Sequence, residues 1–152
     1  MRIRQIKKED YLAVDDLMRQ LHQQHVQGRP DIFIHMEHPY TKEDFEKMLE
    51  NPQVIFLVAE EDSAVIGLCV VTMREPKAGL FVKIAYMDDL VVDESRRGQG
   101  IGRRLFLAAQ QEAKARGADR LDLMVWEFNQ NALKLYESLG MKPQRYMLEK
   151  SL

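Results

Sequence analysis

Residues 86–117 constrain the fold more than any other part of this chain. The apolar run at residues 90–92 has the composition of a buried strand, and a loop of charges and glycines follows it. From Ile101 onwards, apolar residues recur at the spacing of an amphipathic helix, and Gly117 stands where a left-handed glycine commonly ends one. The stretch therefore predicts a strand, a glycine-rich turn and a helix in direct succession.

The predicted turn has the chemistry of an anion-binding site. The first N–H groups of a helix have no partner within the helix, and the helix dipole adds partial positive charge there. Glycines let an anion approach the backbone closely, and arginines flank the turn on both sides. These residues are Gly98, Gly100, Gly102, Arg96, Arg97, Arg103 and Arg104. The pattern indicates a cradle for a phosphate or pyrophosphate, with an ordinary strand–helix turn carrying surface arginines as the alternative.

The spacing of the glycines narrows the choice of ligand. A Walker A loop needs Gly-Lys-Ser/Thr, whereas Gly102 is followed by two arginines; the dinucleotide fingerprint has a different glycine spacing and opens the first βαβ unit. Residues 97–102 match R-x-x-G-x-G, which resembles the acetyl-coenzyme A (acetyl-CoA) signature of the GNAT superfamily of N-acetyltransferases. The resemblance runs from Ile3 to about Met147. It implies coenzyme binding by Arg97, Gly98, Gln99, Gly100, Ile101, Gly102 and Arg103.

The remaining chain predicts a mixed α/β sheet with helices on both faces. Alternating and β-rich runs predict strands at residues 2–6, 54–60, 64–73, 81–92, 120–126 and 143–150. Caps and helical periodicity predict further helices at 10–24, 41–49 and 130–139, begun by Asp10, Thr41 and Asn129. The resulting order, β-α-α-β-β-β-α-β-α-β, is the order that the resemblance implies. We expect one N-acetyltransferase domain over residues 1–152.

Composition excludes several other classes of protein. Hydrophobic residues make up 45% of the 152 residues and charged residues 30%, as in a globular domain. No apolar run approaches the ~18 residues of a membrane span, and we expect neither a signal peptide nor membrane association. A net charge of −2 argues against nucleic-acid binding. The single cysteine, Cys69, lies in an apolar run, so a cytoplasmic location is expected.

Asp88 and Asp89 are unusual because they precede a strand segment that looks buried on both faces. Burying a lone carboxylate is costly, so two adjacent acids suggest a functional site, with a solvated edge as the alternative. In the GNAT family this strand carries a bulge beside the thioester, and the first of two such acids is a candidate base. The resemblance therefore implies that Asp88 is the catalytic base, directly or through water. Asp89 is then predicted to bind the acceptor.

Tyr136 and Asn129 lie in a second family-like motif. Residues 129–141 resemble N-x-x-A-x-x-x-Y-x-x-x-G-F, with Met141 in place of the final aromatic residue. The resemblance implies that Tyr136 protonates the departing thiolate and that Asn129 contacts the coenzyme. From the residues alone, Tyr136 could equally be a core residue and Asn129 only a helix cap.

Four histidines, His22, His25, His35 and His38, fall within a short stretch. No cysteine lies near them to complete a metal site, and we expect no bound metal. Residues 26–40 look irregular and contain Gly28, Pro30 and Pro39. They are predicted to form a variable wall of the acceptor cleft.

The expected function is transfer of an acetyl group from acetyl-CoA to a primary amine, by direct attack in a ternary complex. An alkyl amine has a pKa near ~10.4 and must lose a proton first, which is the role given to Asp88. Backbone groups of Leu90, Val91 and Val92 are expected to bind pantetheine and polarise the thioester. The acidic pair favours a small cationic acceptor. Alternatives are an N-terminal acetyltransferase acting on a peptide or ribosomal protein and a non-catalytic CoA-binding domain. A homodimer is left open.

Overall fold

The computed structural model describes all residues from Met1 to Leu152. The chain forms five strands and four α-helices in the order β-α-α-β-β-β-α-β-α, with short 3-10 turns at Lys8–Asp10 and Glu94–Arg96. The strands are β1 (Arg2–Gln5), β2 (Val54–Glu61), β3 (Ala64–Arg74), β4 (Ile84–Val92) and β5 (Arg120–Leu123). The helices are α1 (Tyr11–Gly28), α2 (Lys42–Glu50), α3 (Ile101–Ala115) and α4 (Gln130–Ser138).

The five strands form one mixed sheet in the order β1-β2-β3-β4-β5. Neighbouring strands are antiparallel except β4 and β5, which run parallel because α3 connects them. One face of the sheet packs against α3 and α4, around Leu105 and Phe106. The other face packs against α1 and α2, around Leu17 and Phe45. The predicted class, a mixed sheet with helices on both faces, is confirmed.

Several predicted element ends are also confirmed by their local geometry. The Thr41 hydroxyl accepts a hydrogen bond from the Asp44 N–H and begins α2. Asp62 and Ser63 both have positive φ, as the two-residue turn of the β2–β3 hairpin requires. Gly117 and Gly140, with φ of 83° and 85°, follow α3 and α4 in the left-handed conformation.

Other predicted elements were wrong or had wrong boundaries. The last strand, at residues 143–150, does not form, and β5 ends at Leu123 instead of extending to residue 126. Strand β4 begins three residues later than predicted, and α1 continues to Gly28, so His25 lies within a helix. Asp10 precedes α1 but does not cap it, because its carboxylate is held by the Arg4 guanidinium at 2.7 and 2.9 Å. No helix has the length and apolar character needed to cross a membrane.

Candidate active site

The sheet opens between β4 and β5, and this opening defines the candidate site. The two strands are paired only from Ile84 to Met87 on β4, opposite Arg120 to Leu123 on β5. Beyond Met87, β4 continues to Val92 while β5 has already ended, so this part of β4 has no strand on the β5 side. Leu90, Val91 and Val92 all lie there. Those of their backbone groups that do not pair with β3 are available to pair with an extended ligand.

The turn that follows β4 presents a set of unpaired backbone donors. From Arg97 to Arg103 no backbone N–H group donates a hydrogen bond within the protein, and the series of helical bonds begins at Arg104. Gly98 and Gly100 have φ of 76° and 77°, and a Cβ added to either would meet nothing within 4 Å. An anion can therefore approach these N–H groups from open space, at the positive end of the α3 dipole.

The arginines around this turn have different partners. Arg96 forms an ion pair with Glu61 and is thereby neutralised. The Arg97 Nε donates to the Val92 carbonyl oxygen at 3.1 Å, which ties the turn to the end of β4. Arg103 reaches the Ser138 hydroxyl at 3.3 Å and has no carboxylate partner, so its charge is available to a ligand.

Gly102 and Ile101 contribute to the site by packing. Ile101 is buried between α3 and the sheet. A Cβ on Gly102 would lie 3.5 Å from Leu135 of α4 and 3.7 Å from Val92. These are ordinary van der Waals distances, so α4 and the end of β4 pack directly against the first turn of α3 at Gly102.

Asp88 lies at the point where β4 leaves β5. A β-bulge places Asp89 opposite Val70 and Met87 opposite Val71, so Asp88 has no partner on β3. Its carboxylate accepts a hydrogen bond from the Thr72 hydroxyl at 2.6 Å. The residue is exposed, yet partial desolvation of the carboxyl raises the pKa of Asp88, against the opposing effects of Thr72 and of the Arg74 charge.

Asp89 has a more enclosed environment than Asp88. It is half-buried, and its carboxylate accepts a hydrogen bond from the Tyr40 hydroxyl. Desolvation raises the pKa of Asp89 in spite of that hydrogen bond. Burial, together with both acids, holds the pKa of Tyr40 well above its ordinary value, so Tyr40 remains a donor.

Tyr136 projects from α4 towards the same region. Its ring packs 6.1 Å from that of Phe106, and the side chain is half-buried against the core on the α3 side of the sheet. Burial raises the pKa of Tyr136 to about 12, with smaller contributions from Cys69 and Asp89. The hydroxyl is therefore protonated at neutral pH.

Asn129 and Cys69 have clear structural roles. The Asn129 carboxamide oxygen accepts from the Ala132 N–H at 3.2 Å and caps α4, as predicted from the sequence. Cys69 is fully buried in β3, and burial raises the pKa of its thiol well above the usual range. A buried thiol of this kind is a poor nucleophile.

An aromatic cluster at the end of α1 contains residues that were not predicted from the sequence. Phe33, from the segment between α1 and α2, packs edge-on against Trp126 at 5.5 Å and stacks on His25 at 5.2 Å. Trp126 stacks in turn on Phe128 at 6.1 Å. This cluster joins the end of α1 and the α1–α2 segment to the loop before α4. Tyr40 and Thr72 were missed too, since no local pattern distinguishes them.

Three of the histidines are occupied by contacts of their own. His22 Nε2 lies 2.7 Å from the Ile34 carbonyl oxygen, and His38 Nδ1 lies 2.9 Å from an oxygen of the buried Asp15 carboxylate. His25 is partly desolvated in the aromatic cluster, which lowers its pKa. Tyr40 thus brings the α1–α2 segment beside Asp89, and the contacts of His22 and His38 hold that segment against α1.

Comparison with known proteins agrees with this geometry. Residues 15–141 match the model of the acetyltransferase (GNAT) family.

The chain belongs to the GNAT acetyltransferase family.

Individual relatives agree with the family model. A Bacillus subtilis protein named as a ribosomal protein bS18-alanine N-acetyltransferase is 33% identical over 69% of this chain, which spans 66% of that relative's length. The B. subtilis N-acetyltransferase YhfO is 34% identical over 92% of this chain and 89% of its own length. The family and enzyme class expected from the sequence, an N-acetyltransferase, are therefore confirmed.

Solved structures extend the agreement to the whole fold. A mutant of the BH1408 protein from Bacillus halodurans is 33% identical, covers 100% of this chain and 99% of its own, and superposes with a TM-score of 0.94. The aminoglycoside N-acetyltransferase AAC(6')-Iy, in complex with CoA, is 19% identical with a TM-score of 0.75 over 99% of both chains. The fold of this GNAT chain is thus one for which a CoA complex is known.

Proposed function

We propose that this chain transfers the acetyl group of acetyl-CoA to a primary amine of a small cationic molecule. The observation that carries the proposal is the β4–β5 opening, which has free N–H groups at one end and the acidic pair at the other. Pantetheine lies along the unpaired part of β4 at Leu90, Val91 and Val92. The pyrophosphate binds the N–H groups of residues 97–103, and Asn129 contacts the coenzyme while it caps α4.

The chemistry needs a base, an oxyanion stabiliser and a group that acts on the leaving sulfur. Asp88, at the bulge, takes the proton of the ammonium group directly or through a water molecule. The freed amine attacks the thioester carbonyl carbon, and backbone N–H groups of β4 stabilise the negative oxygen. The C–S bond then breaks as the nitrogen loses its second proton to water, and the thiolate leaves towards Tyr136. No acyl-enzyme is formed, because the only cysteine, Cys69, is buried in the core.

The pKa of Tyr136 defines what its hydroxyl does for the leaving group. With a pKa of about 12 the phenol is a weaker acid than a thiol, for which ~8.5 is usual. Complete proton transfer to the thiolate would be uphill by about 5 kcal/mol at 1.36 kcal/mol per unit. Tyr136 therefore acts chiefly by donating a hydrogen bond to the sulfur as charge develops on it, and the thiolate takes its proton from solvent afterwards.

The charges around the opening support a cationic acceptor. Asp88 and Asp89 face the acceptor side, and neither forms an ion pair. The Arg29 guanidinium, which lies over Trp126, is neutralised by Asp31 and Glu149. A cleft with this balance concentrates cations and repels carboxylates. Asp89 is proposed to bind the charge of the acceptor, in competition with the Tyr40 hydroxyl.

A peptide α-amine is the second candidate acceptor, because one relative is named for acetylation of an alanine of ribosomal protein bS18. An α-amino group has a pKa near ~7.7–8.0 and needs less help from a base than an alkyl amine near ~10.4. The two candidates therefore differ in how strongly turnover should depend on Asp88.

The test is CoA release from acetyl-CoA by wild-type protein and Asp88→Asn, with polyamines, aminoglycosides, an alanine-initiated peptide and glutamate as acceptors. We expect polyamines or aminoglycosides to give the highest kcat/KM, and Asp88→Asn to lower it about 100-fold or more. An acidic acceptor that outperforms every polyamine would overturn the acceptor assignment but leave acetyl transfer intact. If none of the acceptors in the panel led to release of CoA, the proposed acetyl transfer itself would be overturned.

A further inference from the structure

Asp15, on α1, is the only charged residue in the buried core, and the proposed chemistry does not use it. Its side chain belongs to a residue that is 4% exposed. One carboxylate oxygen lies 2.9 Å from Nδ1 of His38 and 3.9 Å from Nε of Arg19, one turn later in the same helix. The other oxygen has no hydrogen-bond partner. Because an unpaired buried carboxylate is costly, the contact with Asp15 restrains His38 more firmly than an exposed carboxylate would.

His38 is two positions before Tyr40, and the link between them is stiff. The ring of Pro39 fixes its own φ and restricts the conformation of the residue before it. Helix α1 also holds Tyr40 directly, because the Tyr11 hydroxyl donates a hydrogen bond to the Tyr40 carbonyl oxygen at 3.2 Å. The backbone is therefore fastened to α1 on both sides of Pro39.

The side chain of Tyr40 transmits this restraint to the acidic pair. Its ring is half-buried, and its hydroxyl donates a hydrogen bond to the Asp89 carboxylate. Desolvation raises the pKa of Asp89, and the hydrogen bond from Tyr40 opposes that rise by stabilising the charged form. This hydrogen bond lasts only while the backbone of Tyr40 is held at the right distance from β4.

We propose that Asp15 and His38 are positioning residues, which hold the α1–α2 segment so that the Tyr40 hydroxyl stays on Asp89. In this role His38 touches neither the acceptor nor the coenzyme and acts on Asp89 through Tyr40. His22 provides a contrast within the same segment. Its Nε2 contacts the carbonyl oxygen of Ile34, six positions before Tyr40, so it restrains a different part of the segment.

The test measures the pKa of Asp89 by carboxyl ¹³C NMR in wild type, His38→Leu, Tyr40→Phe and the double variant. In each single variant this pKa should rise by about one unit or more, because a hydrogen bond to the charged form is lost. The double variant should have the same pKa as Tyr40→Phe, since His38 acts through Tyr40. The other groups that interact electrostatically with Asp89 are unchanged in all four proteins; they are Asp88, Tyr136 and Cys69.

Two controls distinguish positioning from a general loosening of the segment. His38→Asn keeps an N–H donor near the place of Nδ1 and should keep the wild-type pKa of Asp89. His22→Leu removes the contact with Ile34 and should also leave that pKa unchanged. Circular dichroism shows whether each variant is folded. If His38→Leu does not fold, Asp15→Leu combined with His38→Leu takes its place, because it leaves no unpaired buried charge.

Three results would overturn the proposal. They are an unchanged pKa of Asp89 in the folded His38→Leu protein, shifts that add in the double variant, and an equal shift in His22→Leu. A pKa that does not move in Tyr40→Phe would overturn it too, because the hydrogen bond that His38 is proposed to maintain would then not act on Asp89.

The kinetic consequence rests on the proposed function, in which Asp89 binds the acceptor in competition with the Tyr40 hydroxyl. His38→Leu should therefore lower KM for a dicationic amine about threefold, the equivalent of one weak hydrogen bond, and change KM for a monoamine much less. Turnover assays with the two amines measure this ratio. A raised pKa of Asp89 with an unchanged ratio would support the positioning role and remove Asp89 from acceptor binding. A changed ratio with an unchanged pKa would overturn the positioning role instead.

Discussion

The two sides of the β4–β5 opening are built by different means. The side proposed to bind the coenzyme, residues 84–115, is a strand, turn and helix in direct succession and presents mainly free backbone N–H groups. The side proposed to bind the acceptor, residues 29–41 and 124–128, is irregular and is held by side chains from distant parts of the chain. Tyr40 contacts Asp89 across 49 positions, and Arg29 contacts Glu149 across 120. One side is therefore suited to a constant ligand, and the other can change its ligand by changing a few side chains.

Tyr136 is the proposed hydrogen-bond donor to the leaving sulfur, and Tyr136→Phe should therefore have a larger effect than the other substitutions considered below. The substitution keeps the ring against Phe106 and removes only the hydroxyl. Loss of the hydrogen bond to the leaving sulfur should lower kcat about 10- to 1000-fold, within or somewhat below the range of general-acid contributions. CoA affinity should be unchanged, since the coenzyme side is intact.

The value of kcat is measured under conditions where the chemical step limits the rate. The affinity for CoA is measured by calorimetry. Tyr146→Phe, at an 86% exposed tyrosine outside the opening, is the matched control and should keep the wild-type kcat. A Tyr136→Phe protein with unchanged kcat would return Tyr136 to a purely packing role.

On the coenzyme side, Gly100→Ala should weaken CoA binding about tenfold or more. Gly100 has φ of 77°, and its missing Cβ faces open space beside the free N–H groups. A methyl group there strains the backbone and enters the space of the pyrophosphate. Calorimetry measures the affinity.

A control variant distinguishes the effect of backbone strain from the effect of a methyl group in the space of the pyrophosphate. Gly79→Ala introduces the same strain at φ of 84°, also with nothing within 4 Å, but outside the turn at residues 97–102. It should destabilise the protein without changing CoA affinity. Equal affinities for both variants would show that the turn does not bind the pyrophosphate.

The same contrast explains what could be predicted from the sequence. The cap at Asn129, the turn at Asp62 and Ser63 and the glycine turn before α3 each depend on a few adjacent residues, so local rules predicted them. The contact between Tyr40 and Asp89 depends on how α1 and its following segment pack on the sheet. No local pattern encodes such a contact, and Tyr40 was missed. The strand at residues 143–150 failed for a related reason, because a strand requires a partner as well as a suitable sequence.

On the acceptor side, Asp89→Asn should raise KM for a dicationic amine about tenfold and for a monoamine much less. The substitution keeps the shape of the side chain and removes one negative charge from a half-buried position beside Tyr40. A second positive charge on the acceptor is attracted by Asp89, and this attraction is weakened by added salt. The difference between the two amines should therefore shrink as ionic strength rises. Equal changes in KM for both amines would contradict a role for Asp89 in binding the acceptor.

The smallest expected effect is a pH shift that identifies which of the two carboxylates, Asp88 or Asp89, acts as the base. Thr72 donates a hydrogen bond to Asp88 at 2.6 Å, and Tyr40 donates one to Asp89, so Thr72→Val and Tyr40→Phe remove one matched bond each. A hydrogen bond to the charged form of a carboxyl lowers its pKa, and its removal raises that pKa. The variant that affects the true base therefore needs a higher pH to deprotonate it. The acid limb of kcat/KM, which reports the free enzyme, moves to higher pH in that variant.

Because Asp88 is proposed as the base, the acid limb should move in Thr72→Val and stay in place in Tyr40→Phe. The shift should be on the order of one to two pH units, since a hydrogen bond to a charged group contributes about 1.5–3 kcal/mol and one unit corresponds to 1.36 kcal/mol. Each profile is divided by the wild-type profile for the same amine, so that titration of the acceptor cancels. A shift in Tyr40→Phe alone would assign the proton transfer to Asp89, because the pKa of that half-buried carboxyl is also raised by desolvation. Asp88 would then be left to bind the acceptor, and the roles proposed for the two acids would be exchanged.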